Sequence, residues 1–288
     1  MVVSPPENQT SIRFLALGDW GGVPYPPYIT PVEKATAWEM GKIAEQMGAD
    51  FVLALGDNFY YSGVNSADSP RFQDTFERVY TADSLNIPWY ILAGNHDHAG
   101  NVKAQIDYSR KSDICRQDPA DNALVPMGQP LLQQNRTVTL FFNACHFSIL
   151  DLLMDNVKTP SGSVSFPRDG ECTILKIKLL IKKSGTFGQF LSHFHKLQSY
   201  LKESGVGYVV SGAGNFLDPD TRHWHHVPKD TLKFFTGQAS TLGGFVHGEV
   251  TKNKMTLTFI QAKGTSLYRT VLPRRDIDDD QNGSDDKD

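Results

Sequence analysis

Apolar residues near the start of this chain gather into three short runs, each closed by a glycine: Ile12 to Leu17 before Gly18, Phe51 to Leu55 before Gly56, and Trp89 to Ala93 before Gly94. Runs of this length that stop at a turn residue predict buried strands. Between the first two, Thr30, Pro31 and Glu33 supply an N-cap, a proline at the first helical position and a capping-box acid. Val32, Thr36, Met40, Ile43 and Met47 then recur at helical spacing up to Gly48. A second helix is predicted from Ser69 and Pro70 through Tyr80, and a third helical stretch from the turn after Gly94 to Ser112. Strands alternating with helices argue for a layered α/β domain with a largely parallel sheet core. The far end reads differently. Gly244 to Val250, Met255 to Ala262 and Ser266 to Leu272 are separated by the turns Asn253-Lys254 and Lys263-Gly264, an antiparallel meander.

With 288 residues, 40% of them hydrophobic, the composition is that of a globular chain rather than a disordered one. Lys and Arg number 28 against 32 Asp and Glu. The tail from Asp276 to Asp288 holds seven of those aspartates and Lys287, so removing it leaves 27 bases against 25 acids. A near-neutral body with an acidic tail at 276–288 argues against nucleic acid or an anionic membrane as partner. No run approaches the roughly 18 apolar residues of a spanning helix, and the first residues lack the apolar core of a signal peptide. Three sequons, at Asn8, Asn135 and Asn282, matter if the chain enters the secretory pathway. Cys115, Cys145 and Cys172 permit one disulfide, and without a CxxC pair they argue against thiolate-bound zinc.

The chemistry gathers where the three strands end. Ligands of parallel α/β sheets lie beyond the carboxyl ends of the strands, and here each closing glycine is followed by an oxygen donor: Asp19, Asp57 and Asn95. Taken singly, each is commonly a turn residue or a helix cap. Three in the same place predict a site. The segments Gly18-Asp19-Trp20-Gly21-Gly22, Gly56-Asp57-Asn58-Phe59-Tyr60 and Gly94-Asn95-His96-Asp97-His98 offer carboxylate, amide and phenol oxygens with imidazole, a donor set for hard or borderline cations. Two cations about 3.5–4 Å apart need a bridging carboxylate, for which Asp57 is the natural candidate.

These three motifs resemble those of the metallophosphoesterases, and within them the small purple acid phosphatases, a subgroup set apart by the tyrosine at position 60. The resemblance covers residues 12–111 and resumes at 193–275. It implies an αββα sandwich of mixed sheets flanked by helices, formed by residues 1–275 as one domain. It implies an acid phosphatase that hydrolyses phosphate monoesters, small molecules or phosphoproteins, by in-line attack of hydroxide on phosphorus at a dinuclear centre. Fe(III) would be held by Asp19 and Tyr60, with Asp57 bridging to Fe(II) or Zn(II) on Asn95. His96 would be the acid/base residue, and Asp97 would either orient a histidine or serve as a turn or cap carboxylate. Two further histidines are implied at His193 and His195, the first for the divalent ion and the second for the trivalent one. The resemblance also implies secretion or a lysosomal location, and a monomer is expected.

The chain departs from that family in two places. Ser192-His193-Phe194-His195 stands where a Gly-His-Asp-His motif is expected, and Phe187, Phe190, Leu191, Phe194, Leu197 and Leu201 fall at helical spacing. A helix would point residues two apart in different directions, whereas a strand or extended turn would let both histidines share a side. A Gly-His-Tyr-Pro-like motif is missing, and His146 sits within an apolar run that reads as core. The stretch 112–192 departs from the family throughout and holds all three cysteines, which marks it as a substituted segment. A second reading follows: a family member that keeps the fold but has an incomplete divalent-metal site and no catalysis.

Overall fold

The computed structural model describes residues 11–112, 141–144, 188–192, 198–203, 206–216, 230–236, 242–251 and 253–273. The predicted order of elements at the start is found: β1 (Ser11–Leu17), α1 (Pro31–Met47), β2 (Phe51–Ala54) and β3 (Trp89–Ile91). Helix α1 begins as its sequence dictates. The Thr30 hydroxyl accepts the Glu33 N–H at 3.1 Å, the Glu33 carboxylate reaches back to the Thr30 N–H, and Gly48 closes the helix at φ 80°.

The predicted helix from Ser69 to Tyr80 is shorter and wider than expected. Phe72–Glu77 forms a π-helical segment, in which the Arg78 N–H donates to the Gln73 carbonyl, and looser turns carry the chain on to Tyr80. The stretch after Gly94 is two helices, α2 (Asn95–His98) and α3 (Val102–Ser109), divided at Gly100, with the Asn101 side chain capping α3.

β1, β2 and β3 run parallel, in register Leu17 to Ala54 and Ala54 to Ile91. The far end of the chain forms the expected meander: β9 (Gly244–Thr251), β10 (Lys254–Gln261) and β11 (Ser266–Pro273) pair antiparallel, and β9 pairs antiparallel with β1. These six strands make one sheet, ordered β11-β10-β9-β1-β2-β3. A second sheet of five joins β4 (Phe141–Ala144), β5 (Gly188–Ser192), β7 (Val206–Ser211), β6 (Gln198–Glu203) and β8 (Leu232–Thr236) in that order. The helical reading of the segment around residues 187–201 is therefore corrected. Residues 188–192 pair parallel with β7 and 198–203 pair antiparallel with it, so ladder bonding to Tyr208, Val209 and Val210 overrides the helical spacing of the apolar residues.

The fold is the expected mixed α/β sandwich. Phe14 and Ala16 of β1 face the second sheet and pack in one cluster with Tyr200, Val209, Leu257 and Phe259. Leu15 and Leu17 face the other way, against Met40, Ala44, Trp20 and Trp89, beneath α1. A strand covered on both sides explains why the β1 sequence is continuously apolar rather than alternating. Each such side chain taken fully from water contributes about 1.5–3 kcal/mol. Burial on two faces thus fixes β1 at the centre, and its carboxyl end fixes the site. Among the described residues no helix is long and apolar enough to cross a membrane.

Candidate metal centre

Because β1, β2 and β3 are parallel and in register, their carboxyl ends lie side by side, and the three glycine-led loops rise from one edge. The loops bond to one another at once. The Asp19 N–H donates to the Gly56 carbonyl at 3.1 Å and the Tyr60 N–H to the Gly21 carbonyl at 3.0 Å. Asp19 and Asp57 both sit in the left-handed region, at φ 55° and 54°. That backbone is costly for a residue other than glycine and is found chiefly where a side chain must be aimed.

The aim is convergence. The Tyr60 hydroxyl donates to Asp19 Oδ1 at 2.6 Å and lies 3.4 Å from Asp57 Oδ2, while Asp57 Oδ1 accepts the His96 N–H at 3.2 Å. Asp19, Asp57 and Tyr60 are all buried. Gly94 has to be glycine for this geometry, since a Cβ there would lie 2.1 Å from Asp57 Oδ1. Next to it, Asn95 Oδ1 is buried without a hydrogen-bond partner among the described residues. Burial, then the neighbouring Asp19 and Asp97 carboxylates, pushes Asp57 up to about 8. The Tyr60 phenol is held well above its ordinary value by the same burial and by Asp19. Buried acids that resist ionising together, beside an orphaned amide oxygen, are oxygen donors arranged for a cation. Among the described residues no three His, Cys, Asp or Glu side chains form a metal cage by themselves. The cluster is two carboxylates with a phenol and an amide.

His96 lies on the open side. Its Nδ1 is 2.6 Å from the Tyr61 carbonyl, and its ring packs 4.6 Å from that of Tyr60. A carbonyl only accepts, so Nδ1 carries the hydrogen. Of its two expected roles, Asp97 takes that of the cap carboxylate. Its Oδ2 accepts the Gly94 and Asn58 N–H groups at 2.8 and 3.0 Å, and its Oδ1 accepts Gln105 Nε2 at 2.9 Å. No histidine is among these partners. Asp97 fastens the second loop to the third from behind, and its carboxyl is raised by burial against those bonds. His193 and His195 lie outside the described residues, as do the three cysteines and His146. β5 ends at Ser192 on the edge where β7 ends at Ser211, since Leu191 pairs with Val210, and the Ser211 hydroxyl reaches the Ala16 carbonyl of β1.

Three supporting residues escaped the sequence reading. The buried Arg71 guanidinium donates to the carbonyls of Gly21 and Tyr60, binding the first loop to the second. Its signal was positional, for Arg71 shares the buried face of Phe72, Thr75 and Phe76. Asn58 is buried and donates to the Leu92 carbonyl and Gln105. Asn215 donates to the Gly22 carbonyl and accepts from Thr30, while the Gly214 N–H goes to the Gly18 carbonyl. The turn at 211–215 thus braces the first loop.

Two sheets face to face, with an oxygen cluster at the carboxyl ends of the central parallel strands, define a phosphoesterase architecture. The chain belongs to the calcineurin-like phosphoesterase family, whose pattern spans residues 12–212. It is 40% identical over 303 residues to tartrate-resistant acid phosphatase type 5 of Oryctolagus cuniculus, with 92% of each chain covered. It is 25% identical over 303 residues to purple acid phosphatase 4 of Arabidopsis thaliana, covering 92% of this chain and 84% of that one. Among solved structures, GAP50, the anchor in the inner membrane complex of Plasmodium, shares the fold at a TM-score of 0.66 and 17% identity, over 93% of this chain and 90% of that one.

Proposed function

We propose that this chain is an acid phosphatase hydrolysing phosphate monoesters, and that Asp19, Asp57, Tyr60 and Asn95, with His193 and His195, hold a pair of metal ions for that reaction. The observation that carries the reading is the meeting of three buried acidic side chains from two loops beside Asn95 Oδ1 of the third, which has no hydrogen-bond partner among the described residues. Asp57 is the bridge, because its two oxygens face different ways, Oδ2 toward Tyr60 and Oδ1 toward the third loop. The donor set suits hard or borderline cations, and by resemblance to the purple acid phosphatases iron(III) would be held by Asp19 and Tyr60 and a divalent iron or zinc by Asn95. When bound, the metals supply positive charge to the phosphoryl oxygens and lower the pKa of water.

The chain's own residues do the rest. His96, with Nδ1–H tied to the Tyr61 carbonyl, presents Nε2 as the atom that holds a proton for the departing alkoxide. Asp97 and Arg71 keep the loops in place by bonding backbone rather than substrate. The non-enzymatic reading is not favoured, since the 40% identity to an acid phosphatase runs over 92% of both chains. The three sequons and the family resemblance support a secreted or lysosomal location.

The test is hydrolysis of an alkyl phosphate and of nitrophenyl phosphate in acid buffer by the full chain and by His96→Ala. We expect turnover of both by the parent, and a loss of about 10²–10⁴ in kcat on the alkyl ester in the variant, with a smaller loss on the better leaving group. No turnover by the parent would overturn the function. Equal turnover by the variant would overturn the role of His96.

A further inference from the structure

Four buried polar atoms have no hydrogen-bond partner among the described residues: Trp20 Nε1, Glu33 Oε1, Arg71 Nε and Tyr80 Oη. They come from four separate elements: the first loop, helix α1, the start of the π-helical segment and the turn that follows it. Ring packing and electrostatics link them in a chain. The Trp20 and Tyr80 rings meet edge-on at 5.7 Å, Arg71 lies over Phe59 at 5.3 Å, and Phe59 lies 6.2 Å from Trp20. The Glu33 carboxylate acts electrostatically on both Arg71 and Tyr80. Glu33 has none of its side chain in solvent although it stands in the first turn of a surface helix.

Leaving one such group unsatisfied costs about 1–3 kcal/mol, and four of them would be a severe burden on a domain of ordinary stability. Their chemistry is complementary. Arg71 Nε and Trp20 Nε1 only donate, Glu33 Oε1 accepts when ionised, and the Tyr80 hydroxyl does either. A water molecule accepts two bonds and donates two, and buried waters gather about three polar partners. We propose that Trp20, Glu33, Arg71 and Tyr80 enclose an internal water site, and that through it Glu33 holds the Arg71 guanidinium on the carbonyls of Gly21 and Tyr60. Glu33 is then a positioning residue. It touches neither substrate nor metal, but by fixing Arg71 it sets how the loop carrying Asp19 lies against the loop carrying Asp57 and Tyr60.

The site stands on the four orphaned atoms alone, whereas its consequence for metal binding rests on the proposed function, so two experiments are needed. A crystal structure of the full chain at a resolution that orders internal solvent decides the first. Solvent density bonded to Glu33 Oε1 and Arg71 Nε supports the site, and direct pairing of the four groups, or a dry cavity, overturns it. For the second, the affinity for iron or zinc is measured by competition with a chelator for Glu33→Gln and Glu33→Leu. Gln keeps an acceptor oxygen, whereas Leu fills similar space without one. We expect affinity within a few-fold of the parent for Gln and about tenfold weaker for Leu. A Leu variant equal to the parent marks Glu33 as packing only, and equal losses in both variants show that charge rather than the water bond matters. Either result overturns the positioning role. A parent chain that takes up no metal contradicts the proposed function and leaves the solvent density to decide the water site.

Discussion

The Tyr60 hydroxyl donates to Asp19 Oδ1 across 2.6 Å, joining the loop after β2 to the end of β1. Neither residue is near the other in sequence. The bond exists because parallel register sets Leu17 beside Ala54, and because both strands end in left-handed aspartates. In the proposed centre the same phenol oxygen, once deprotonated, would bind a trivalent ion. Tyr60→Phe would remove that ligand together with the hydrogen bond to Asp19 Oδ1, a bond worth about 1–3 kcal/mol to a buried carboxylate. A phenolate-to-iron absorption band in the visible spectrum of the parent is expected to vanish in Tyr60→Phe. A band that survives would show that another residue binds the iron.

The carboxyl cluster gives the metal-free protein an unusual dependence on pH. The Asp57 carboxyl, raised by burial and by Asp19 to about 8, keeps its proton in the folded chain and releases it on unfolding, where its ordinary value is about 3.9. Above the lower value the folded state binds more protons than the unfolded one, so its stability falls as pH rises from about 4 to about 8. Thermal melts of chelator-treated protein across that range are expected to show a falling Tm. Added metal displaces the proton and should remove the slope. A metal-free Tm that rises throughout this range would contradict the assignment.

Asp97 is expected to matter for folding more than for chemistry. Asn at this position keeps the shape but turns one acceptor into a donor, which must then face Gln105 or the N–H groups of Gly94 and Asn58. We expect Asp97→Asn to lose about 2–4 kcal/mol in urea unfolding. A change below about 0.5 kcal/mol would mean that the loops do not depend on this clamp.

Gly94→Ala separates crowding from backbone strain. Gly94 has φ −88°, which alanine adopts freely, so the only obstacle is the approach of its Cβ to Asp57. Asp57 must move, and the expected result is a folded protein, by far-UV circular dichroism, that has lost about 1–3 kcal/mol and most of its metal affinity. Retention of full metal affinity would show that Asp57 is not a ligand.

Much of this architecture is legible in the sequence where local signals agree with one another. The Thr30, Pro31, Glu33 start of α1, the three glycine-closed strands and the terminal meander are written in short-range pattern. So are Asp19, Asp57, Tyr60, Asn95 and His96, because each follows a strand-ending glycine closely enough to be carried to the same edge. What was not legible depends on long-range pairing. The strands at 188–192 and 198–203 carry helical spacing of apolar residues, and it is partnership with β7 on one side and with β4 or β8 on the other that makes them strands. Asp97 reads equally as a residue for a neighbouring imidazole or as a cap because its backbone partners, Asn58 and Gly94, are set by how two loops stack. Arg71 carries no motif. Its function arises from carbonyls at positions 21 and 60, which no local window contains.

The most direct test is the metal content of the purified full chain, measured by elemental analysis for the parent and for Asp57→Ala. A bridging Asp57 in a cluster built from three loops predicts two metal ions per parent chain and the loss of both in the variant. One ion or none in the parent, or an unchanged content in Asp57→Ala, would contradict it.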